Sequence, residues 1–224
     1  MKLMVLDGNS LVNRAFFGIK LLTTKDGRYT NAIYGFQNIL LNLLAAHKPD
    51  AVAIAWDERA PTFRHTAYDG YKATRHGMPE ELAQQMPVMK EVLQALRIPI
   101  FECEGWEADD VIGTVARVCT EAAWDCVIVT GDRDSLQLVG DRVTVKLVIT
   151  KSGQTTSTNY TPQLFQAEYG FAPPILVDLK ALMGDHSDNI PGVAGVGPKS
   201  ATELLLRFGT LAGVYENLQD DAIR

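Results

Sequence analysis

The sequence predicts an α/β fold: a mostly parallel central sheet flanked by helices, followed by a small helical module. Three observations predict it. Short apolar runs recur at Leu3 to Leu6, Ala51 to Trp56, Val127 to Val129 and Val143 to Val148, which is the length and composition of buried strands. Helical patterns stand between most of them, so strand and helix alternate as they do around a parallel sheet. Beyond Pro173 the character changes to short segments broken by Gly184, Pro191, Gly192, Gly195, Gly197 and Pro198.

Taken in order, the first strand runs into Asp7 and is followed by a helix over Ala32 to Ala46. The second strand ends at Asp57 and opens a basic stretch. The next helix covers Glu80 to Leu96 behind Pro79, a residue suited to a helix start. Another covers Glu107 to Ala123, with acids in its first turn. After the third and fourth strands, Lys151 to Asn159 is polar enough for a loop or hairpin. Thr161 then caps a helix over Pro162 to Tyr169. The boundaries expected are a core over residues 1–172, carrying an insertion at about 59–78, and a helical module over 173–224.

At 224 residues, 46% hydrophobic and 21% charged, the chain has the composition of an ordinary globular protein with a real core. No stretch approaches the ~20 apolar residues of a membrane span. The first residues form no signal peptide, and a cytoplasmic protein is expected. Cys103, Cys119 and Cys126 are odd in number and form no CxxC pair, which points to buried thiols rather than a disulfide framework or zinc ribbon. The net charge of −6 argues against an anionic partner only until the acids are sorted. Of the 27 acids, nine fall in clusters, and the other 18 stand against 21 Lys and Arg.

Those nine are Asp7, Asp57, Glu107, Asp109, Asp110, Asp132, Asp134, Asp185 and Asp188. Asp7, Asp57 and Asp132 each follow an apolar strand, and the carboxyl edge of an open parallel sheet is where ligands bind. Glu107 and Asp110 are three residues apart, on one face of a helix start. Any single cluster is explained better by turn formation or by the helix dipole. Five clusters together repel one another unless cations hold them ionised. Oxygen ligands without His or Cys support favour Mg²⁺ or Mn²⁺, and the number of acids suits two ions. An EF-hand is excluded, because a loop begun at Asp185 has Ile190 where Gly is needed and Val196 where Glu is needed.

Between residues 59 and 76, Arg59, Arg64, His65, Lys72, Arg75 and His76 alternate with Phe63, Tyr68 and Tyr71. Cations that clamp phosphates and rings that stack on bases make a single-strand binding surface. A solvated amphipathic helix would explain this stretch alone equally well; its place directly after Asp57 favours the binding role. Downstream, Gly192, Gly195, Gly197, Pro198, Lys199 and Ser200 do not form a Walker A loop, since Pro198 interrupts Gly-Lys-Ser and no strand precedes it. A hairpin between two short helices fits better. Its N–H groups, a helix N-terminus, Lys199 and Ser200 can hold a phosphate without reading sequence.

In this order and spacing, Leu6-Asp7-Gly8-Asn9-Ser10, Trp56-Asp57, Thr62-Phe63-Arg64-His65, Tyr71-Lys72-Ala73-Thr74-Arg75, Glu107-Ala108-Asp109-Asp110, Thr130-Gly131-Asp132-Arg133-Asp134 and Gly184-Asp185-His186-Ser187-Asp188-Asn189-Ile190-Pro191-Gly192 resemble the 5′ nuclease domains of bacterial DNA polymerases I, within the flap endonuclease superfamily. The resemblance covers nearly the whole chain. It implies a PIN/resolvase-like sheet core, a helical arch over the site, and a helix-three-turn-helix module that grips duplex DNA, often with a bound K⁺. It further implies that all nine carboxylates are metal ligands or their close support. Lys72 and Arg75 would contact the scissile phosphate, Tyr71 would stack on the terminal base, and Arg64 would bind DNA. Further helices and a polymerase region would lie beyond the point matched by Arg224, so the chain is expected to be a piece of a longer reading frame.

The expected function is two-metal hydrolysis of DNA phosphodiesters, as a 5′-3′ exonuclease or 5′ flap endonuclease of replication and repair. The expected partner is DNA with a 5′ flap, nick or free 5′ end, and the expected state is a monomer associated with a bacterial nucleoid. Rival readings are a noncatalytic junction-binding module and a toxin-like ribonuclease, which would lack the arch and glycine hairpin. A dinucleotide enzyme is disfavoured because Asp7-Gly8-Asn9-Ser10 is not a glycine-rich fingerprint.

Overall fold

The computed structural model describes residues 1–58, 60–75, 77–151 and 154–220. Arg59 and His76 of the basic stretch, two positions of the polar stretch after Lys151, and residues 221–224 lie outside the described residues.

Six strands form one sheet: β1 (Lys2–Asp7), β2 (Ala51–Ala55), β3 (Ile100–Phe101), β4 (Asp125–Thr130), β5 (Val143–Lys151) and β6 (Gln154–Tyr160), in the order β3-β2-β1-β4-β5-β6. The first five are parallel, and β6 returns antiparallel beside β5. The polar stretch after Lys151 is therefore the second arm of a hairpin. The chain builds outward from β1 first to one side and then to the other, so the order reverses between β1 and β4. At such a switch point the carboxyl edge opens into a crevice.

Strand parity divides the core into two layers. Met4, Leu6, Val127 and Val129 face one layer with Leu11 and Phe16 of α1 (Gly8–Gly18), Phe36 and Leu40 of α2 (Asn31–His47), and Met89 and Leu93. Val5, Ile128 and Val145 face the other. There they meet Ile112 of α6 (Ala108–Glu121), Phe165 of α7 (Pro162–Tyr169), Leu179 of α8 (Leu176–Met183), and Leu205 of α9 (Pro198–Phe208). The C-terminal helices thus share a core with the sheet. A last short helix, α10 (Leu211–Glu216), adds Leu211 to its edge.

Three elements depart from the sequence reading. Helix α1 follows β1 at once, although Gly8, Asn9 and Ser10 are weak helix formers, because the Asp7 carboxylate caps it by accepting from the Ser10 N–H at 2.9 Å. Gly8 lets α1 pass over Trp56, whose ring would lie 2.6 Å from any Cβ there. The helix expected from Glu80 to Leu96 is broken at Gln84 into α4 (Glu80–Ala83) and α5 (Gln85–Ala95). Pro87 has no N–H to bond the Ala83 carbonyl and its ring crowds that group. Among its described residues, the expected helical arch contains the five-residue α3 (Phe63–Ala67) and then a run of turns through Thr74.

No helix among the described residues is long and apolar enough to cross a membrane.

Candidate metal centre

The carboxyl edge of the sheet delivers Asp7, Asp57 and Asp132 to one place. Asp7 ends β1 and is only 6% exposed. It accepts from Thr130 Oγ1 at 2.6 Å as well as from Ser10. Burial, opposed by these two hydrogen bonds and reinforced by Asp57 and Asp132, pushes its pKa up to about 6. Asp57 lies just beyond β2; its Oδ1 accepts from the Ala108 N–H at 2.7 Å, which ties the sheet edge to the start of α6. Asp132, just beyond β4, accepts from the Asp134 N–H at 2.9 Å.

Helix α6 adds the fourth member. Glu107 and Asp110 cap its first turn, the Asp110 carboxylate accepting from the Glu107 N–H at 3.0 Å. This leaves Asp109 aimed at the other acids. Its Oδ1 is buried without a hydrogen-bond partner. Burial, with Asp7, Asp132 and Asp57 adding repulsion and only Lys72 opposing, pushes its pKa up to about 8. A buried carboxylate oxygen with no donor, facing three further carboxylates, is relieved by a proton or by a divalent cation.

The other five predicted ligands are already paired with four cations of the protein. Glu107 receives Lys72 Nζ at 2.9 Å and the Tyr71 hydroxyl at 2.9 Å. Asp110 receives Arg64 through two parallel bonds of 2.7 and 2.8 Å. Burial alone would raise Asp110, but Arg64 and the Glu107 amide hold it below the usual carboxylate range. Asp134 and Asp185 share Lys180 Nζ at 2.7 and 2.6 Å. Burial opposes ionisation at Asp185 too, yet Lys180 and Ser187 bring its pKa down to about 2. Asp188 pairs with Arg75.

The nine therefore divide into an inner four and an outer five. Among the described residues, no group of three or more such side chains is gathered closely enough to hold an ion as it stands. Like charges separate when cations from the chain are within reach, and here Lys72, Arg64, Arg75 and Lys180 are.

The arch segment is fastened to the turn between β7 (Gly184–Asp185) and β8 (Ile190–Pro191). The Lys72 N–H donates to the Asp188 carbonyl at 2.9 Å, and Asn189 Nδ2 donates to the Gly70 carbonyl at 2.7 Å. Tyr71, expected to stack on a base, is instead 5% exposed. Its hydroxyl donates to Glu107 and, at 3.1 Å, to Asp188. Burial and these two acids raise its pKa. Exposed rings beside it are Tyr68, Phe63 and Trp106, the last two 5.0 Å apart, with the Arg64 guanidinium 4.5 Å over Phe63.

In the glycine hairpin the predicted residues separate by role. Gly192 is required by packing, because a Cβ there would lie 2.3 Å from the Met183 carbonyl carbon. Gly195 has φ +82° and open space around it. Gly197 caps α9, whose first turn presents Lys199, its side chain 91% exposed, and Ser200 to solvent.

A cleft of about 1180 Å³ runs between α6, α8 and the turn after β4, with Glu107, Asp109, Asp110, Asp134, Asp185 and Asp188 in its wall. Lys180 also lines it. Sequence reasoning passed over Lys180, whose signal was a single Lys in the otherwise apolar run from Leu179 to Met183, five residues before Asp185.

Two family models match the chain end to end: 5′-3′ exonuclease, N-terminal resolvase-like domain, over residues 2–170, and 5′-3′ exonuclease, C-terminal SAM fold, over residues 171–224. The chain is 48% identical over 218 residues to DNA polymerase I of Caldicellulosiruptor bescii, covering 97% of this chain and 26% of that protein. It is 43% identical over 219 residues to DNA polymerase I of Bacillus subtilis, covering 98% and 25%. It thus spans about a quarter of the length of these relatives. Among solved structures, a bacteriophage T5 flap endonuclease in complex with DNA and metal ions superposes with a TM-score of 0.77 at 20% identity, covering 100% of this chain and 82% of that one. Human GEN1 in complex with Holliday junction DNA gives 0.56 at 18% identity, covering 96% and 55%. At these identities the structural likeness establishes the fold.

Proposed function

The chain belongs to the 5′-3′ exonuclease family, and from that premise we propose that it hydrolyses DNA phosphodiesters at a 5′ end or flap junction with divalent metal ions. The observation that carries this reading is the orphaned Asp109 oxygen facing Asp7, Asp57 and Asp132. Four carboxylates held at one sheet edge at a cost in repulsion are explained by a cation they share.

Asp7, Asp57, Asp109 and Asp132 would hold one Mg²⁺ or Mn²⁺. Asp134, Asp185 and Asp188 would contribute to a second, with Glu107 and Asp110 in support. Bound divalent ions supply a water of lowered pKa and stabilise charge on the leaving oxygen. The chain's own part is to bring positive charge to the scissile phosphate. Lys72 and Arg75 do so once the carboxylates they now neutralise are taken over. Residues 1–172 would form the nuclease core and residues 173–224 the duplex grip, where the exposed first turn of α9 with Lys199 and Ser200 can hold a backbone phosphate. The substrate class is DNA bearing a 5′ flap, nick or free 5′ end, bound by a monomer.

Cleavage of a 5′-flap duplex in Mg²⁺ and then in EDTA tests the reading. Activity that survives chelation, or none in either, overturns it. Asp109→Ala should abolish cleavage while leaving flap binding largely intact.

A further inference from the structure

Of the four cations that pair with the outer carboxylates, three come from the arch segment: Arg64, Lys72 and Arg75. The fourth, Lys180, comes from α8 between the buried Leu179 and Leu182, in the core shared by the sheet and the C-terminal helices. Its ammonium is bonded by two acids of the proposed metal centre at once, Asp134 Oδ1 at 2.7 Å and Asp185 Oδ2 at 2.6 Å. These acids belong to different parts of the chain. Asp134 stands in the turn after β4, and Asp185 in β7, just past the end of α8.

Asp185 has its other oxygen committed: Oδ1 accepts from the Ser187 N–H at 2.8 Å and from Ser187 Oγ at 2.7 Å. Only Oδ2 can turn toward a ligand, and Lys180 occupies it. We propose, building on the metal-dependent reading above, that Lys180 is a positioning residue that holds the outer carboxylates together and competes with the second divalent ion for them.

The physical case rests on charge and on anchoring. A +1 ammonium and a divalent ion seek the same oxygens, so the ion gains only the difference between them. A ligand that must displace a bound competitor loses affinity by the competitor's own hold on the site. Lys180 has its backbone fixed in the core, so it withdraws from these acids only by turning its flexible stem into the cleft it lines. Lys180 bonds Asp134 and Asp185 and none of the inner four carboxylates, so its competition applies to one ion and not to the other.

The test is Mn²⁺ binding to the full 224-residue chain, counted by electron paramagnetic resonance and titrated by calorimetry, for wild type, Lys180→Met, Lys180→Gln and Lys180→Arg. Both neutral variants should bind the weaker ion roughly tenfold more tightly, the factor that corresponds to about 1.4 kcal/mol, with the tighter ion unchanged. Lys180→Arg, which keeps the charge, should stay near wild type. The proposal is overturned if the neutral variants bind the weaker ion no better than wild type, or if Arg behaves as they do. If Mn²⁺ binds to none of the four proteins, the metal-dependent reading falls and takes this one with it. If it binds equally to all four, Lys180 alone is refuted.

Discussion

Arg75 and Asp188 join the arch segment to the entrance of the C-terminal helices: the guanidinium pairs with the carboxylate, and Nε donates to the neighbouring Ser187 carbonyl at 3.1 Å. The same Asp188 accepts from Tyr71, and its carbonyl accepts from the Lys72 N–H. The metal ligand and the phosphate-binding cation proposed above are therefore each other's partners, and in the proposed mechanism each takes up its role only as it releases the other.

Arg75→Gln should loosen the segment from Gly70 to Arg75 without unfolding the protein. The Arg75 side chain is 48% exposed, so the pair is worth little in stability, and amide exchange at Lys72 should quicken by about threefold, the equivalent of ~0.6 kcal/mol. Saturating Mg²⁺ should do the same to wild type, since it takes Asp188 from Arg75. Exchange mass spectrometry with and without Mg²⁺ reads both, and protection that rises on adding metal would contradict the linkage.

Metal-free protein should lose stability as pH rises from about 4 to about 8. Asp7 and Asp109 are acids whose folded pKa values, about 6 and about 8, stand above the ordinary 3.8. Across that window the folded state holds protons that the unfolded state has released, so unfolding becomes easier with each rise in pH until both groups are ionised. Asp109→Asn should remove most of the slope above pH 6 and raise the melting temperature at pH 8 by roughly 5 °C, for ~2 kcal/mol in a domain of this size. Thermal melts in EDTA at pH 5, 6.5 and 8 measure it. A wild-type protein more stable at pH 8 than at pH 5 would refute the assignment.

Gly192→Ala should destabilise the C-terminal module. Its Cβ would meet backbone atoms of Met183 and Gly184 at 2.3 and 2.4 Å, and Gly184 itself sits at φ +79° against Gly192. With no flexible side chain to yield, the backbone must move, at a cost of about 2–4 kcal/mol. Gly195→Ala, in open space, carries only the left-handed penalty of about 1 kcal/mol. Urea unfolding of the two variants should rank them in that order.

What the sequence made legible follows from how locally each feature is determined. Strands β1, β2, β4 and β5 announce themselves as apolar runs, and the Asp at or just past the end of three of them places three of the inner carboxylates at one edge without knowledge of any contact. β3 is two residues long and exists through its pairing with Ile54 and Ala55, which no local pattern encodes. Apart from Lys180, five residues from Asp185, the partners of the outer acids are equally non-local: Arg64 meets Asp110 across 46 positions and Tyr71 meets Asp188 across 117. A residue list could therefore show that the acids converge, but not that five of them would be paired from within. Nor could it show that the Tyr71 ring would be spent on holding two of them.

The exposed start of α9 carries the last prediction. Gly197 caps a helix of eleven residues, and Lys199 extends from its first turn, 91% exposed, with Glu203 at 4.0 Å. A phosphate held there meets free N–H groups and one mobile cation, with no base edge in reach of the backbone. Lys199→Ala should thus weaken duplex binding evenly across sequences and lower the slope of log affinity against log salt by about one unit. Mn²⁺ binding at the carboxylates should be untouched, because none of them contacts this turn in the ion pairs of the described residues. Fluorescence anisotropy with two duplexes of unrelated sequence, titrated over a range of KCl, measures the slope. A sequence-dependent loss, or a slope unchanged from wild type, would place the duplex on another surface.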